Sequence, residues 1–278
     1  MNLESNPRIS RVQLRARRYV SRGNYRGAEV YLLEELRSAG LQPAGQMFLW
    51  TELGMIYKYL GRFRESQRLY RRALETAHDY MDGTRRDFFL ADLYHNLGGL
   101  EHAQKHFRRG EKLARKGLQL RRRVSSERSL PVAVDKAALA ALLSGQKKFV
   151  EAEKLYRRAL LVYRREYGAK DGETAILLNN LAALYHATQR FRPAQKCYRH
   201  ALQIKRETFG PLHPTVAVTL NNLGMLCHAQ GDSRGAEQYI GEALRILLRR
   251  IGSTHFQYRS ILRNYQTLLP TRASTKKQ

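Results

Sequence analysis

The sequence predicts an all-α solenoid of about six helical hairpins that ends in a single capping helix. Three observations predict it. Segments recur every 42 residues, apolar residues inside each segment fall at helical spacing, and Ala, Gly or Ser return at three fixed positions of the repeat. The recurrence is plainest in FVEAEKLYRRAL (149–160), FRPAQKCYRHAL (191–202) and SRGAEQYIGEAL (233–244). The pairs Asn179-Asn180 and Asn221-Asn222 keep the same interval, as do Gly168, Gly210 and Gly252. A fixed period of this size marks an array whose units bury their apolar faces only against neighbours.

The elements follow in order. Leu181, Leu184 and Tyr185 stand at i, i+3 and i+4, as on one face of a helix. Ala194, Tyr198, Ala201 and Leu202 repeat that spacing after a turn near residues 188–192, so each unit is a helical hairpin. We number the units from Ile9, Met47, Ala91, Ala133, Ala175 and Ala217. Position 8 is then Ala16, Gly54, Gly98, Ala140, Ala182 and Gly224. Position 20 is Ala28, Ser66, Gly110, Ala152, Ala194 and Ala236, and position 27 is Glu35, Ala73, Gly117, Ala159, Ala201 and Ala243. Seventeen of these eighteen are small, where about four would be expected from composition. Two helices crossing closely leave no room for a large side chain where they touch. Large residues fill the neighbouring holes: Trp50 and Tyr94 at position 4, Tyr57 and Tyr185 at position 11, Tyr70, Tyr156 and Tyr198 at position 24. Glu101 replaces the position-11 aromatic in one unit, and Glu35 breaks the small-residue rule in the first.

Residues 256–268 read as one further helix without a partner, a cap for the open end. Gly168, Gly210 and Gly252 read as left-handed residues that end second helices. The expected organisation is a flexible tail at 1–8, units near 9–46, 47–90, 91–132, 133–174, 175–216 and 217–255, a capping helix at 256–268 and a disordered basic tail at 269–278.

On these residues the chain resembles the tetratricopeptide repeat family. Trp50, Leu53, Gly54 and Tyr57, then Tyr70 and Ala73, match its signature. The 42-residue period, the Asn-Asn pairs and His213-Pro214 resemble the kinesin-light-chain subtype. The resemblance implies a right-handed α-α superhelical solenoid whose first helices line a concave groove and whose second helices form a convex back. It also implies non-catalytic protein–protein recognition, with a peptide of a partner lying in the groove.

The chain has 278 residues, 50 Lys and Arg against 24 Asp and Glu, and a net charge of +26. Over the five clearest units, positions 1–14 hold two cations, Lys58 and Lys136, and positions 15–35 hold 31. The positive charge is therefore expected on the convex back, with Arg108, Arg109, Lys112, Arg115, Lys116, Arg157 and Arg158 as its densest patch. One reading is a platform for nucleic acid or another anionic surface. The other is a solvated face that keeps an Arg-rich array in solution.

The groove positions carry short polar groups: Asn96, Asn180 and Asn222 at position 6, Asn179 and Asn221 at position 5, and His102, His186 and His228 at position 12. An amide offers donors and an acceptor together and suits an extended peptide backbone. These asparagines could equally bond one another. The three histidines lie on separate helices with axes about 8–10 Å apart, too far for one ion, so no metal or other cofactor is expected.

Catalytic signatures are missing from the sequence: there is no GxxxxGK[ST], HExxH, GxSxG or CxxC, and Cys197 and Cys227 stand apart at packing positions. No enzyme activity is expected. Arg121–Ser125 resembles a basophilic kinase site, and the Arg-rich stretch 8–26 resembles a transit peptide but already follows the repeat. With two Cys, no apolar run near the roughly 20 residues that span a bilayer, and no secretory-type start, the expected compartment is the cytoplasm.

Overall fold

The computed structural model describes residues 7–38 and 40–268. Thirteen α-helices and no strand occur among them. They form two compact units, divided after Glu166. Unit 1 holds α1 (Pro7–Ser21), α2 (Tyr25–Arg37), α3 (Pro43–Tyr59), α4 (Phe63–Tyr80), α5 (Gly83–Ala103), α6 (Phe107–Val124), α7 (Leu130–Gly145) and α8 (Phe149–Glu166). Unit 2 holds α9 (Gly172–Ala187), α10 (Phe191–Phe209), α11 (Pro214–Ala229), α12 (Ser233–Ile251) and α13 (Phe256–Leu268).

Each unit is a stack of antiparallel hairpins. Within it, the first helices of successive hairpins touch: α3 with α5, α5 with α7, and in unit 2 α9 with α11 and α11 with α13. The second helices make no comparable approach among the described residues. First helices are thus the inner layer of each unit and second helices the outer layer.

All seventeen small residues at positions 8, 20 and 27 are buried. A Cβ on Gly54 would meet the Tyr70 ring at 2.7 Å, and one on Gly224 would meet Ile240 at 2.5 Å, so large neighbours occupy the space these residues leave. Tyr70, Tyr156 and Tyr198 are fully buried at position 24, and Trp50 and Tyr94 join Tyr70 in one apolar cluster of unit 1. Glu35, the exception to the small-residue rule, is half-buried and pairs with Arg8 at 3.3 Å.

One turn joins the helices of every hairpin. The residue at position 15 has positive φ in all six: Gly23, Gly61, Lys105, Lys147, Gln189 and Gly231. The next N–H donates back to the position-11 carbonyl at 2.8–2.9 Å, as from Arg62 to Tyr57 and from Arg190 to Tyr185. The position-15 N–H itself donates to the position-12 carbonyl at 2.9–3.1 Å. These two bonds satisfy the last carbonyls of the first helix and reverse the chain.

Three expectations change. The helices begin ahead of the repeat boundaries read from sequence, so Arg85 and Arg86 belong to a first helix, α5. Arg8, assigned to the N-terminal tail, lies inside α1; residues 1–6 of that tail and the tail at 269–278 lie outside the described residues. Gly210 and Gly252 do have positive φ, but their ψ values of 154° and 166° lie in an extended region that glycine alone occupies freely. The chain therefore leaves the second helix abruptly, without a left-handed helical residue at either glycine.

Candidate functional site

The inner helices of unit 2 carry a row of amides. Asn222 on α11 donates to Asn179 on α9 at 3.4 Å, and Asn221 donates to Asn222 at 3.4 Å. Asn264 on α13 donates to Asn221 at 3.1 Å. The row crosses three inner helices because their register repeats: Asn264 stands on α13 where Asn222 stands on α11. Asn179 is buried, whereas Asn180, Asn221 and Asn222 are half-exposed. No such bond engages Asn180 among the described residues. The asparagines thus partly do what their alternative reading held, bonding one another, while spare amide groups still face outward.

The position-12 histidines have a second task. His102 lies edge-on to Phe107 with ring centres 5.6 Å apart, and His186 lies in the same way on Phe191 at 6.1 Å. Both rings pack the inner helix onto the start of its outer partner. Burial lowers the pKa of each, and for His102 the nearby Lys58 ammonium lowers it further. His228 is exposed and has no Phe at the matching place, which Ser233 occupies.

In unit 1 the inner face differs. Asn96 is half-exposed on α5, but the same register holds Glu52 on α3 and Ala138 on α7. Asp92 on α5 pairs with Arg121 of α6, and Arg121 also donates to Asp135 of α7 at 3.0 Å. Asp135 is held in turn by His95 at 2.9 Å. Arg121 and Asp135 are 2% and 3% exposed, so this ionic knot ties hairpin α5–α6 to α7. It removes Arg121 from the surface that a basophilic kinase would read.

The outer layer carries the charge. Helices α4, α6, α8, α10 and α12 hold 26 Lys and Arg against 10 Asp and Glu. Helices α3, α5, α7, α9 and α11 hold four against six. Arg108, Arg109, Lys112, Arg115, Lys116, Arg157 and Arg158 are all exposed, on α6 and α8. Arg115 donates at 2.8 Å both to Glu111 on its own helix and to Glu151 on α8. Arg109 reaches Glu101 at 3.3 Å, and Arg157 reaches Glu153 at 3.1 Å. Burial tends to raise the Glu111 carboxyl, but hydrogen bonds from Lys148, Gln146 and Arg115 outweigh it and hold the group at about 2. Lys116 lies over the Tyr94 ring at 4.6 Å, as Arg72 lies over Trp50 at 4.2 Å.

The first hairpin inverts this pattern: α1 is an inner helix with five Arg and no acid. Sequence reasoning missed Glu52, Asp92 and Asp135, because the repeated amides draw the eye away from the one hairpin whose matching position is a carboxylate. The signal was present in Glu52 standing where Asn96, Asn180 and Asn222 stand.

Tetratricopeptide repeat profiles match residues 49–82, 90–129, 133–207 and 173–249. The chain belongs to the tetratricopeptide repeat family. Its fold is accordingly the all-α solenoid of helical hairpins expected from the period, and the family is one of protein–protein interaction scaffolds. Among solved structures, BtubC (BKLC) from P. vanneervenii is similar at 26% identity and TM-score 0.58, covering 81% of this chain and 91% of that one. The nearly identical kinesin-light-chain TPR-like repeats from Podosopora anserina share the fold at 14% identity and TM-score 0.53, covering 76% of this chain and 99% of theirs. A Rap protein complexed with Competence and Sporulation Factor shares it at 12% identity and TM-score 0.62, covering 92% of this chain and 73% of its own. No curated protein sequence matches the chain. No described helix is long and apolar enough to cross a membrane.

Proposed function

We propose that this tetratricopeptide repeat protein is a non-catalytic adaptor that holds an extended peptide of a protein partner against the inner helices of unit 2. The observation that carries the reading is the amide row from Asn179 to Asn264, with Asn180 beside it. Its members fix one another's orientation and leave donors and acceptors for a peptide backbone. A row already in place spares the cost of ordering side chains on binding. The Rap protein solved with Competence and Sporulation Factor lends support, since a related architecture there holds another molecule.

The test is Asn180→Ala combined with Asn222→Ala, measured as affinity for partner peptides selected on the parent protein. The pair should weaken binding by about tenfold or more, as expected when hydrogen bonds worth roughly 0.5–1.5 kcal/mol each are removed. Asn180→Ala alone should leave the melting curve unchanged, whereas Asn222→Ala removes the donor to the buried Asn179 and should cost about 1–3 kcal/mol of stability, so affinity is compared at a temperature where parent and variants are all folded. Undiminished affinity would exclude the amide row as the binding surface.

A second reading has one specific observation in its favour. Exposed cations recur at the same register on three successive outer helices of unit 1: Arg68, Arg71 and Arg72 on α4, Lys112, Arg115 and Lys116 on α6, and Lys154, Arg157 and Arg158 on α8. A nucleic acid or other anionic surface would meet these rows in order.

A further inference from the structure

The outer helices repeat a strict surface pattern, and α8 alone breaks it. Position 18 is arginine in the five other hairpins, at Arg26, Arg64, Arg108, Arg192 and Arg234, and all five are exposed. On α8 it is Val150. Position 29 is Arg37, Glu75, Gln119, Gln203 and Arg245, again all exposed, and on α8 it is Leu161. The register that turns these positions to solvent is kept in α8, so Val150 is 87% exposed and Leu161 70%. Single apolar residues on a surface need no explanation. Two that replace polar residues at two outward positions of one helix do.

Both belong to one stripe. At about 100° per residue, eleven residues return Leu161 to within about 20° of Val150, and the helical rise separates them by about 16 Å. Lys154, Arg157 and Arg164 fall within about 40° of the same line. All three are exposed. Lys154 and Arg164 engage no carboxylate among the described residues, and Arg157 shares Glu153, on the flank of the stripe, at 3.1 Å. Along α8 the stripe therefore runs Val150, Lys154, Arg157, Leu161, Arg164, with no acid on it.

This composition restricts the occupant. The phosphates of a nucleic acid would use the cations but gain nothing from Val150 and Leu161. The backbone of α8 is bonded within the helix, so its outward face offers side chains only. An extended strand laid on that face would leave its own N–H and C=O groups unpaired against it. A helix satisfies its backbone internally and can lie along α8 with side chains interlocked and axes about 8–10 Å apart. Its side chains return to one face at the same eleven-residue interval, and acids between the two apolar seats complement the cations of the stripe.

We propose that the outward face of α8 is a docking surface for an acidic amphipathic helix of a protein partner. That helix seats large apolar residues eleven positions apart on Val150 and Leu161 and sets Asp or Glu against Lys154, Arg157 and Arg164. The surface belongs to the outer layer of unit 1, whereas the amide row belongs to the inner layer of unit 2. It does not rest on the groove reading and gives the adaptor a second attachment.

The experiment uses the full chain and four labelled synthetic peptides on one Ala-rich frame of about 20 residues, long enough to be helical alone. The first carries Leu at two sites eleven residues apart, with Glu between them on the same face. The second has Ala for Leu, the third Lys for Glu, and the fourth a central Pro that breaks the helix. The first should bind at least tenfold tighter than each of the others. Val150→Gln with Leu161→Gln keeps the net charge and should weaken that binding at least tenfold, with the melting curve unchanged. Lys154→Gln with Arg164→Gln should weaken it by a smaller factor and reduce its dependence on salt. Asn180→Ala should leave it unchanged, so the docking surface and the groove are tested separately. Vesicles of phosphatidylcholine with phosphatidylserine, and a labelled duplex, are titrated against the same variants. Equal binding of the first and second peptides would mean that only charge is felt, and equal binding of the first and fourth that helical form is not read. Either result overturns the proposal, as does parental affinity in the paired glutamine variant or failure of all four peptides to bind. If the glutamine pair loses vesicle or duplex binding but keeps the first peptide, the face belongs to that surface and the helical partner falls.

Discussion

Position 31 of the repeat shows what a single residue can cost. In two hairpins a cation is buried there, with opposite provision. Arg121 has two carboxylates, Asp92 and Asp135. Lys205, 2% exposed in unit 2, donates to the Thr219 hydroxyl at 2.9 Å and has no carboxylate within pairing distance among the described residues. Burial lowers Lys205 to about 7, and the more distant Glu173 offsets little of that. In the unfolded chain a lysine titrates near 10.4. Between those values the unfolded state binds the extra proton, so stability rises as pH climbs from about 7 to about 10. Below 7 both states are protonated and the full penalty of the buried charge persists. Lys205→Met should stabilise the protein at pH 7 by on the order of 1–3 kcal/mol and flatten the rise toward pH 10. Urea titrations of parent and variant at pH 7 and pH 10 measure both effects, and equal slopes would show that Lys205 is not their source. None of this was legible in the sequence, where Lys205 looks like one more cation on a basic helix. Glu101 was legible as an irregularity, but its meaning was not. Where Tyr57 and Tyr185 lie under Arg62 and Arg190, Glu101 instead meets His106 at 2.9 Å and Arg109 at 3.3 Å. The same two positions are joined by different chemistry.

At the scale of the element, the hairpin turn is the recurring device, and half of its copies use an unfavourable residue. Lys105, Lys147 and Gln189 have φ of 62°, 64° and 58° in the place where the other three hairpins have glycine. A left-handed conformation costs a residue with a Cβ about 1–2 kcal/mol, and the greater unfolded-state freedom of glycine returns part of any gain from replacing it. Replacing each with Gly should therefore stabilise the chain by about 0.5–1 kcal/mol, and the triple substitution should act nearly additively because the turns are well separated. Thermal and urea melts of the single and triple variants decide this. A destabilised Lys147→Gly would mean that the lysine side chain supports the turn by an interaction worth more than the strain. The small residues announced where helices cross, because close approach leaves few alternatives at a crossing. The turns stayed hidden, because Lys and Gln carry no sequence mark of a left-handed backbone; only the two bonds to positions 11 and 12 impose it.

For the molecule as a whole, the sequence located most of the charge, since the excess follows the second helix of every clear hairpin. The inner helices α3, α5, α7, α9 and α11 hold four cations and six carboxylates, of which a count of cations begun at position 1 shows only Lys58 and Lys136, because it leaves out Arg85 and Arg86 and does not set carboxylates beside cations. Net charge of this size attracts any polyanion weakly, so binding alone would not separate a built surface from a merely basic one. The distinction lies in which cations matter. On α6 and α8, Arg115 is already divided between Glu111 and Glu151, so reversing it would strand two carboxylates and confuse folding with binding. Lys112, Lys154 and Arg158 belong to the rows, engage no carboxylate among the described residues and can be reversed to Glu without that penalty. If the register-matched rows bind nucleic acid, the parent should lose affinity for a labelled duplex steeply with salt. The triple reversal should lower the slope of log affinity against log salt by about 2–3, near 0.9 for each phosphate that is no longer neutralised. A control reversal of three exposed cations outside those rows, Arg234, Arg245 and Arg249 on α12, changes net charge equally. Equal effects of the two triples would mean that only the total charge is felt, and that the outer helices are a solvating face.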